Sequence, residues 1–554
     1  MTPLVAQLLL NRGITGAAEA RRFLNPELSA LLSPDSLPGA VEAARRLLAA
    51  VRQGRKIVIY GDYDVDGVTG TAILWHGLKL SGAQVDYYVP SRLDEGYGLN
   101  RAAIEQLASA GAGLLITVDC GITAVDEARR ARDLGMELII TDHHMPHRQL
   151  PEATVIVHPT AVRVSPNPDL SGAGVALKVM WALAQELSGR VRVSAQFREL
   201  LVESLAFAAL GLIADVVPLT GENRVIASFG LRQLKSARNP GLRALLEVAR
   251  LTNKKCGYDD YDVGFMLAPR LNAIGRMDHA RQAVELFTSA DAARAAKIAA
   301  ALDAENRRRQ QVERQIVKQA EALVRERGYH RDGCRAIVLA SHEWHAGVIG
   351  IAAARLVERF QRPTVLISLE GGYGQGSGRS VRHFPLHEVL ERCAGQLESF
   401  GGHAMAAGLR LREDQVAAFT AAFQAEAARR LTTADLRPKL HLDDEVDLSE
   451  LTEEVVDMIH RLAPFGTGNP RPRLASKVVE LVDQPRVVGP SGGHVQFTVR
   501  QGSTYRRAVA FNRGAQAEQL AEHRRLRLAF EPLLNEWNGQ RRVELKVLDW
   551  KASA

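Results

Sequence analysis

Along the first third of the chain, hydrophobic residues fall in short blocks. Lys56–Gly61, Val85–Val89, Leu114–Asp119, Glu137–Asp142 and Thr154–His158 are apolar runs bounded by Gly, Asp or Pro, and read as strands. Helical spacing fills the gaps, as in Arg101–Ala110 and Ile122–Leu134. Such alternation predicts a parallel sheet covered by helices on both faces. Residues 171–251 and 280–327 are rich in Ala and Leu at helical spacing, and Asp291–Arg327, free of Pro and Gly, reads as one long helix. Between Asp303 and Gln311 only Ala304 is apolar. A helix polar all round bridges two domains through solvent, so a domain boundary is placed there; an exposed surface helix is the alternative.

A second α/β segment starts near Arg335 (RAIVLAS) and continues through Arg362–Leu369. It carries a Gly-rich loop, GGYGQGSGRS at 371–380, and GGHAMAAG at 401–408, whose AMAAG looks helical. From Ala475 onward five short strands follow: SKVVELVD, HVQFTVR, YRRAVAFN, LRLAFEPLL and RRVELKVLDW. Five strands in about 80 residues predict a small barrel of the OB type. The expected organisation is a helical segment 1–50, an α/β domain 51–280, a connecting helix 281–330, a second α/β domain 331–435 and the barrel 436–554.

Composition narrows the class. The chain has 554 residues, 46% apolar and 24% charged, which excludes disordered, collagen-like and small disulfide-stapled proteins. No apolar run approaches the ~18 residues of a membrane span, and the N-terminal MTPLVAQLLLNRG reads as a domain segment rather than a secretory signal. Four Cys without a C-x-x-C pair fit a reducing cytoplasm. The net charge is +7, and all of it lies in residues 471–554, with 15 Lys/Arg and 8 Asp/Glu. Such a localised excess is the electrostatic footprint of a polyanion partner, or simply a basic domain kept soluble by charge.

The chemistry concentrates at strand ends. In IVIYGDYDVDG, Asp62, Asp64 and Asp66 alternate and would share one face of an extended backbone. Asp119 ends LLITVDCG, and Asp142, His143 and His144 end ELIITDHH. Asp215, after an apolar helical run, can reach the same rim. A single Asp at a strand end is ordinarily a cap or turn residue; three strand ends converging are not so easily dismissed. Two like charges about 4 Å apart repel by about 4 kcal/mol at an effective dielectric of about 20. The cluster therefore stays partly protonated or is neutralised by cations. Carboxylate with imidazole suits Mn²⁺ or Mg²⁺. Other motifs fail: there is no G-K-[ST], SGAGVALK has Leu177 where a dinucleotide fingerprint needs Gly, and His342-Glu343-Trp344-His345 lacks the H-E-x-x-H spacing.

YGDYDVDGVTG, VDCGI, TDHH, GLIADVVPL, LAPRLNAIGRM, HAGVIGIAAARL, GSGRS and GGHAMAAG, in this order, resemble the DHH phosphoesterase superfamily, and within it the bacterial exonucleases specific for single strands. The resemblance implies a 5′-to-3′ exonuclease that releases 5′-mononucleotides from single-stranded DNA in repair and recombination, with two divalent cations, Mn²⁺ or Mg²⁺. It implies Asp62, Asp64 and Asp119 around one ion, and Asp66, Asp119, His143 and Asp215 around the other. Asp142 joins the catalytic set, and His144 faces the scissile phosphate. Ser377 and Arg379, with Gly374, Gly376 and Gly378 baring backbone N–H groups, and Arg92, Arg276 and His403 are the implied phosphate contacts. On the barrel, Arg506 and Arg507, with Arg524, Arg525, Arg541 and Arg542, can track phosphates, and Phe497, Tyr505, Phe511 and Trp537 are stacking candidates. A monomer acting in the cytoplasm with a single-strand-binding protein and a RecQ-type helicase, and without a membrane, is expected. The alternatives are a small-substrate enzyme on the same core (a nanoRNA, cyclic-dinucleotide or pyrophosphate hydrolase) and a DNA-binding scaffold without activity.

Overall fold

The computed structural model describes residues 2–90, 95, 98–254, 257–277, 281–490, 492–537 and 539–553, with the side chains of 274–277 and 537 excepted. Arg92 lies outside the described residues, as do the side chains of Arg276 and Trp537. The chain forms two compact units. One comprises residues 1–268, 280–296 and 441–554, and the other residues 269–279 and 297–440.

The first unit is built on a parallel sheet of five strands, β1 (Ile57–Gly61), β2 (Val85–Tyr88), β3 (Leu114–Val118), β4 (Glu137–Thr141) and β5 (Val155–Val157), in the order β2-β1-β3-β4-β5. β1 and β3 are buried throughout, as strands covered on both faces must be. The chain leaves β1 toward one edge and returns as β3 on the other side. The order reverses between these two strands, and open α/β sheets bind ligands at such a switch point, outside the strand C-termini. Helices α1 (Val65–Leu80), α2 (Gly172–Ser188) and α3 (Ala195–Ala214) pack on one another beside the sheet. Their contact faces are small: a Cβ at Gly70 would meet Val118, and one at Gly77 would meet Met180.

The barrel completes this unit. Strands β11 (Asp444–Val446), β12 (Leu474–Ser476), β13 (Val479–Leu481), β14 (Arg486–Val488), β15 (His494–Gln501), β16 (Thr504–Ala510), β17 (Arg525–Trp537) and β18 (Gln540–Ala552) form one sheet. Pairing of β17 with β18 closes β17-β13-β15-β16-β18 into a five-stranded barrel, and these are the five strands legible in the sequence. Inward residues alternate along β15, where Val495, Phe497 and Val499 are buried. Phe497 therefore belongs to the core and is not a stacking platform. The N-terminal helix Pro3–Leu10 contributes Leu4, Val5, Leu8 and Leu9 to the same core cluster as Val446, Val456 and Phe530.

Arg224 ties the barrel to the half that holds the parallel sheet. The side chain is buried, and its guanidinium donates to the carbonyls of Phe23, Arg461, Leu462, Ala463 and Pro464. Burial pushes its pKa down to about 10, so it remains a cation at neutral pH. Five fixed N–H donors suit this ring of acceptors, whereas a Lys ammonium has three.

The second unit holds a mixed sheet, β6 (Ile337–Ser341), β7 (Thr364–Glu370), β8 (Tyr373–Arg379), β9 (Ser399–Gly402) and β10 (Ala406–Arg412), in the order β6-β7-β8-β10-β9. Here two expectations fail. In the Gly-rich segment 371–380 only Gly371 and Gly372 turn; Tyr373–Arg379 is not a loop but the central strand β8, paired with both β7 and β10. Its glycines are required by packing: a Cβ at Gly374 would meet Ile367 and Leu411, and one at Gly376 would meet Leu409. They do not form an anion-binding nest, because ladder hydrogen bonds occupy the strand on both sides. AMAAG likewise runs into β10 rather than a helix; its small residues fit beside those glycines.

The long helix α4 spans Ala292–Glu326, close to the expected limits. One stripe of its polar stretch is not solvated, however, although Arg307, Arg308 and Gln311 remain exposed. Asp303, Asn306 and Arg309, three residues apart, are buried. Asp303 accepts from Arg270 Nε at 2.9 Å and pairs with Arg307, while Arg309 meets Asn306 at 3.0 Å and Glu313 at 3.3 Å. A polar stripe can face the interior when its members satisfy one another, which hydropathy alone does not reveal. Among the described residues no helix is long and apolar enough to cross a membrane.

Arg224→Met should lower the urea-unfolding free energy by at least about 3 kcal/mol, since each buried carbonyl left unsatisfied costs about 1–3 kcal/mol. Arg224→Lys should recover only part of that stability.

Candidate metal centre

The alternation of Asp62, Asp64 and Asp66 suggests one face of an extended strand. The structure corrects this. β1 ends at Gly61 and α1 begins at Val65, so the three acids lie on a strand–turn–helix corner. Asp64 is the N-cap of α1, accepting from Asp66 N at 2.8 Å and Gly67 N at 3.1 Å. Asp66 sits in the first turn and is carried to a different part of the cleft. Its carboxylate accepts from Gly172 N at 2.5 Å and Ala173 N at 3.0 Å, buried amides of the first turn of α2 that have no partner within the helix. Ser171 caps that helix. The SGAG run, without meaning as a dinucleotide motif, is thus a cradle for Asp66 that sequence reasoning missed.

Asp119 follows β3 with φ 63°, in the left-handed region. For a residue with a Cβ this costs roughly 1–2 kcal/mol. The turn aims its carboxylate into the space between the two acid groups. Asp142 follows β4 and does not join them. It accepts from Ile122 N at 2.9 Å, His143 N at 2.7 Å and His144 N at 3.1 Å, and from His144 Nδ1 at 2.9 Å. Asp142 therefore positions the two imidazoles. Burial raises its pKa, but the hydrogen bond and charge of His144 outweigh that and hold it below the usual value.

His143 Nε2 stands 3.0 Å from Asp119 Oδ1, 3.5 Å from Asp215 Oδ2 and 3.8 Å from Asp66 Oδ2. Asp215 caps the C-terminus of α3. Two donor sets result, each with ligand atoms within 4.8 Å of one another: Asp62, Asp64 and Asp119 on one side, and Asp66, His143 and Asp215 on the other. Asp119 touches both, through its place in the first set and its approach to His143. Asp119, His143 and His144 also lie close enough to share an ion.

Without a cation the arrangement is costly. Burial, then repulsion from Asp64, pushes Asp66 up to about 7. Burial, then Asp66 and Asp64, pushes Asp215 up to about 8 and Asp119 well above the carboxylate range. His143 falls to about 4, chiefly by burial, and so is the neutral imidazole a metal requires. Burial also opposes protonation of His144, but its hydrogen bond to Asp142 and the field of Asp142, Asp215 and Asp62 raise it to about 9. Hard oxygen donors with one imidazole fit Mn²⁺ or Mg²⁺. Backbone economy supports the same reading: a Cβ at Gly172 would lie 2.8 Å from Asp119 Oδ1, and one at Gly211 would lie 2.3 Å from Asp66 Oδ1.

The remaining candidates are elsewhere. Ser377 and Arg379 share one face of β8, and Arg379 Nη1 donates to Ser377 Oγ at 3.1 Å. The helix α5 (Ile349–Phe360) rests against them at Gly350, where a Cβ would be 2.8 Å from Ser377 Oγ. His403 is exposed in the turn between β9 and β10. All three belong to the second unit. On the barrel, Tyr505, Arg507, Asn535, Gln540, Arg541 and Arg542 line a groove of about 1110 Å³. Arg506 also borders it but commits Nη2 to the carbonyls of Leu448 and Leu451, which makes it a tether as much as a phosphate contact. Tyr505 and Phe511 are exposed.

Acids and imidazoles at the switch point of a parallel sheet, with a second α/β unit following, define the DHH class of phosphoesterases. Three family models match in order: the DHH family N-terminal domain over residues 56–208, the DHHA1 domain over 333–429 and the RecJ OB domain over 442–549. The single-stranded-DNA-specific exonuclease RecJ of Bacillus subtilis is 39% identical over 99% of this chain and 68% of its own length. That of Haemophilus influenzae is 33% identical over 98% and 95%. The crystal structure of RecJ from Thermus thermophilus with Mn²⁺ superposes with a TM-score of 0.82 at 33% identity, covering all of this chain and 76% of that one; its Mg²⁺ complex gives 0.77 at 31%, covering all of this chain and 75% of that one. The chain belongs to the RecJ family of single-stranded-DNA-specific exonucleases.

Gly211→Ala and Gly172→Ala should each weaken Mn²⁺ binding by tenfold or more in calorimetric titration, with the far-ultraviolet circular dichroism unchanged.

Proposed function

We propose that this protein is a metal-dependent exonuclease that degrades single-stranded DNA from its 5′ end to 5′-mononucleotides, in DNA repair and recombination. The observation that carries the reading is the two donor sets, Asp62–Asp64–Asp119 and Asp66–His143–Asp215, with Asp119 Oδ1 3.0 Å from His143 Nε2, in a chain alike to RecJ from end to end. Asp62, Asp64 and Asp119 would hold one ion, and Asp66, Asp119, His143 and Asp215 the other. When bound, two divalent cations supply an activated water and neutralise charge on the phosphoryl oxygens.

The chain's own residues do the rest. Asp142 takes the Nδ1–H of His144 and keeps the ring cationic, so that its Nε2–H is a donor suited to a phosphoryl oxygen, where charge builds during displacement. Asp66 is fixed by two backbone amides, so the rim needs little rearrangement on binding. Ser377 and Arg379, supported by α5, offer hydroxyl and guanidinium donors suited to a terminal phosphate, and Arg92, Arg276 and His403 are further contacts on the strength of the family likeness. The barrel groove with Arg507, Arg541 and Arg542 would hold the strand's phosphates. The action is proposed as that of a cytoplasmic monomer alongside a single-strand-binding protein and a RecQ-type helicase. A helical segment 1–50, a catalytic domain 51–280, a connecting helix 281–330, a second α/β domain 331–435 and a barrel domain 436–554 are proposed with it.

A small-substrate phosphoesterase would not need the barrel groove. Digestion of end-labelled strands with Mn²⁺ separates the two: the expected result is mononucleotide release from the 5′ label on single strands and none from duplex. Consumption of dinucleotides alone would favour the alternative. Asp119→Ala should abolish cleavage while the protein remains folded. Replacing Arg507, Arg541 and Arg542 by Gln should reduce the salt slope of single-strand binding by about 0.7 for each phosphate that is no longer neutralised. Arg379→Ala should erase the preference for a 5′-phosphorylated end.

A further inference from the structure

The helix after Asp259 opens into a π-helical stretch, Asp262–Leu267. Such insertions weaken the regular ladder and gather at functional sites. Here the stretch presents two aromatic rings to solvent. Tyr261 is 55% and Phe265 61% exposed. The rings stack on each other, with centroids 4.8 Å apart and planes 20° from parallel. Each covers one face of the other, so exposure this high leaves their outer faces in water. The start of the stretch is anchored beneath them: buried Asp262 accepts from Lys254 Nζ at 2.5 Å and Asp259 N at 2.9 Å.

The position of this pair is as informative as its exposure. The π-helical stretch packs against α3, the helix that ends in the proposed ligand Asp215. Asp260, next to Tyr261, accepts from Phe465 N at 3.3 Å and faces Arg471 at 3.5 Å. Arg471 in turn lies over the Phe465 ring, 4.6 Å from its centroid, at the entry to the barrel. The loop beyond Phe465 returns to the segment after Asp215, where Leu219 N donates to Thr467 O at 2.8 Å. The rings therefore stand on an element that packs against the helix ending in Asp215 and, through Asp260, against the chain entering the barrel, all within one unit.

We propose that Tyr261 and Phe265 form a stacking station for bases of the single strand held between the metal centre and the barrel. The inference rests on the proposed exonuclease reading. An exposed ring stack already aligned extends by one base without ordering new side chains. Every base has a π-face, so such a station grips without selecting sequence, which suits an enzyme that must digest any strand. Arg471 supplies the adjacent positive charge for the phosphate of a stacked nucleotide.

The test uses the full chain with Tyr261→Ala, Phe265→Ala, the double variant and Phe265→Trp. Strands about 20 nucleotides long, some carrying one abasic site at successive positions, are bound with Ca²⁺ in place of Mn²⁺ and followed by anisotropy. Hydrolysis of a small chromogenic nucleotide ester with Mn²⁺ is measured in parallel. For the wild type, removal of the base at one or two internal positions should weaken binding about tenfold. The double variant should bind intact strands at least about tenfold more weakly and no longer depend on those positions, with small-ester hydrolysis and the urea midpoint unchanged. Phe265→Trp should retain wild-type affinity. Variants that bind intact and abasic strands like the wild type would overturn the stacking station while leaving the exonuclease reading intact. Failure of the wild type to digest single strands would overturn that reading itself. A double variant that binds strands like the wild type but loses a protein partner that the wild type captures would assign the rings to protein docking and also reject the proposal.

Discussion

Carboxylates that cannot all be charged at once govern this structure. Asp66 and Asp119 are buried, Asp215 lies against them, and His143 stands among all three. Burial raises each carboxyl, and their mutual field raises it further. The surrounding fold relieves this cost only in part: helix amides favour the charged Asp66 without offsetting its burial, a left-handed turn holds Asp119, and glycines at 172 and 211 keep the space open. A protein gains nothing from such an arrangement unless divalent cations complete it.

The division of labour at the DHH turn follows from the same electrostatics. Two adjacent imidazoles have opposite fates because one meets a committed carboxylate and the other does not. Asp142, saturated by three backbone amides, stays ionised and charges His144. His143, buried beside that cation, stays neutral. One position thus provides a ligand and the next a proton donor, from a sequence in which the two look equivalent.

Much of this was legible in the residues. Strand blocks ending in Asp or His placed the rim correctly, because a buried parallel strand must be apolar until it ends. The five barrel strands were readable for a similar reason, since inward and outward positions alternate. Glycine was where the reading went astray. In 371–380 its frequency suggested a loop, but Gly374 and Gly376 lie under Ile367, Leu409 and Leu411 and have no room for a side chain. The spacing of Asp62, Asp64 and Asp66 fitted a strand, whereas the chain turns into a helix there, and only the three-dimensional path distributes them between two donor sets. The buried stripe of Asp303, Asn306 and Arg309 was equally invisible, because mutual satisfaction of polar groups leaves no trace in hydropathy.

The packing of Leu4, Leu8 and Leu9 into the barrel core carries a consequence for biosynthesis. Asn11 bonds to the carbonyl of Asp443, 432 residues further along. At about 5–20 residues per second, a ribosome needs on the order of half a minute or more to cross that interval. For that time the apolar side of Pro3–Leu10 emerges with no partner to cover it. The nascent chain would have to be shielded until its last strands appear, so its vulnerability to aggregation lies in the order of manufacture rather than in the finished molecule.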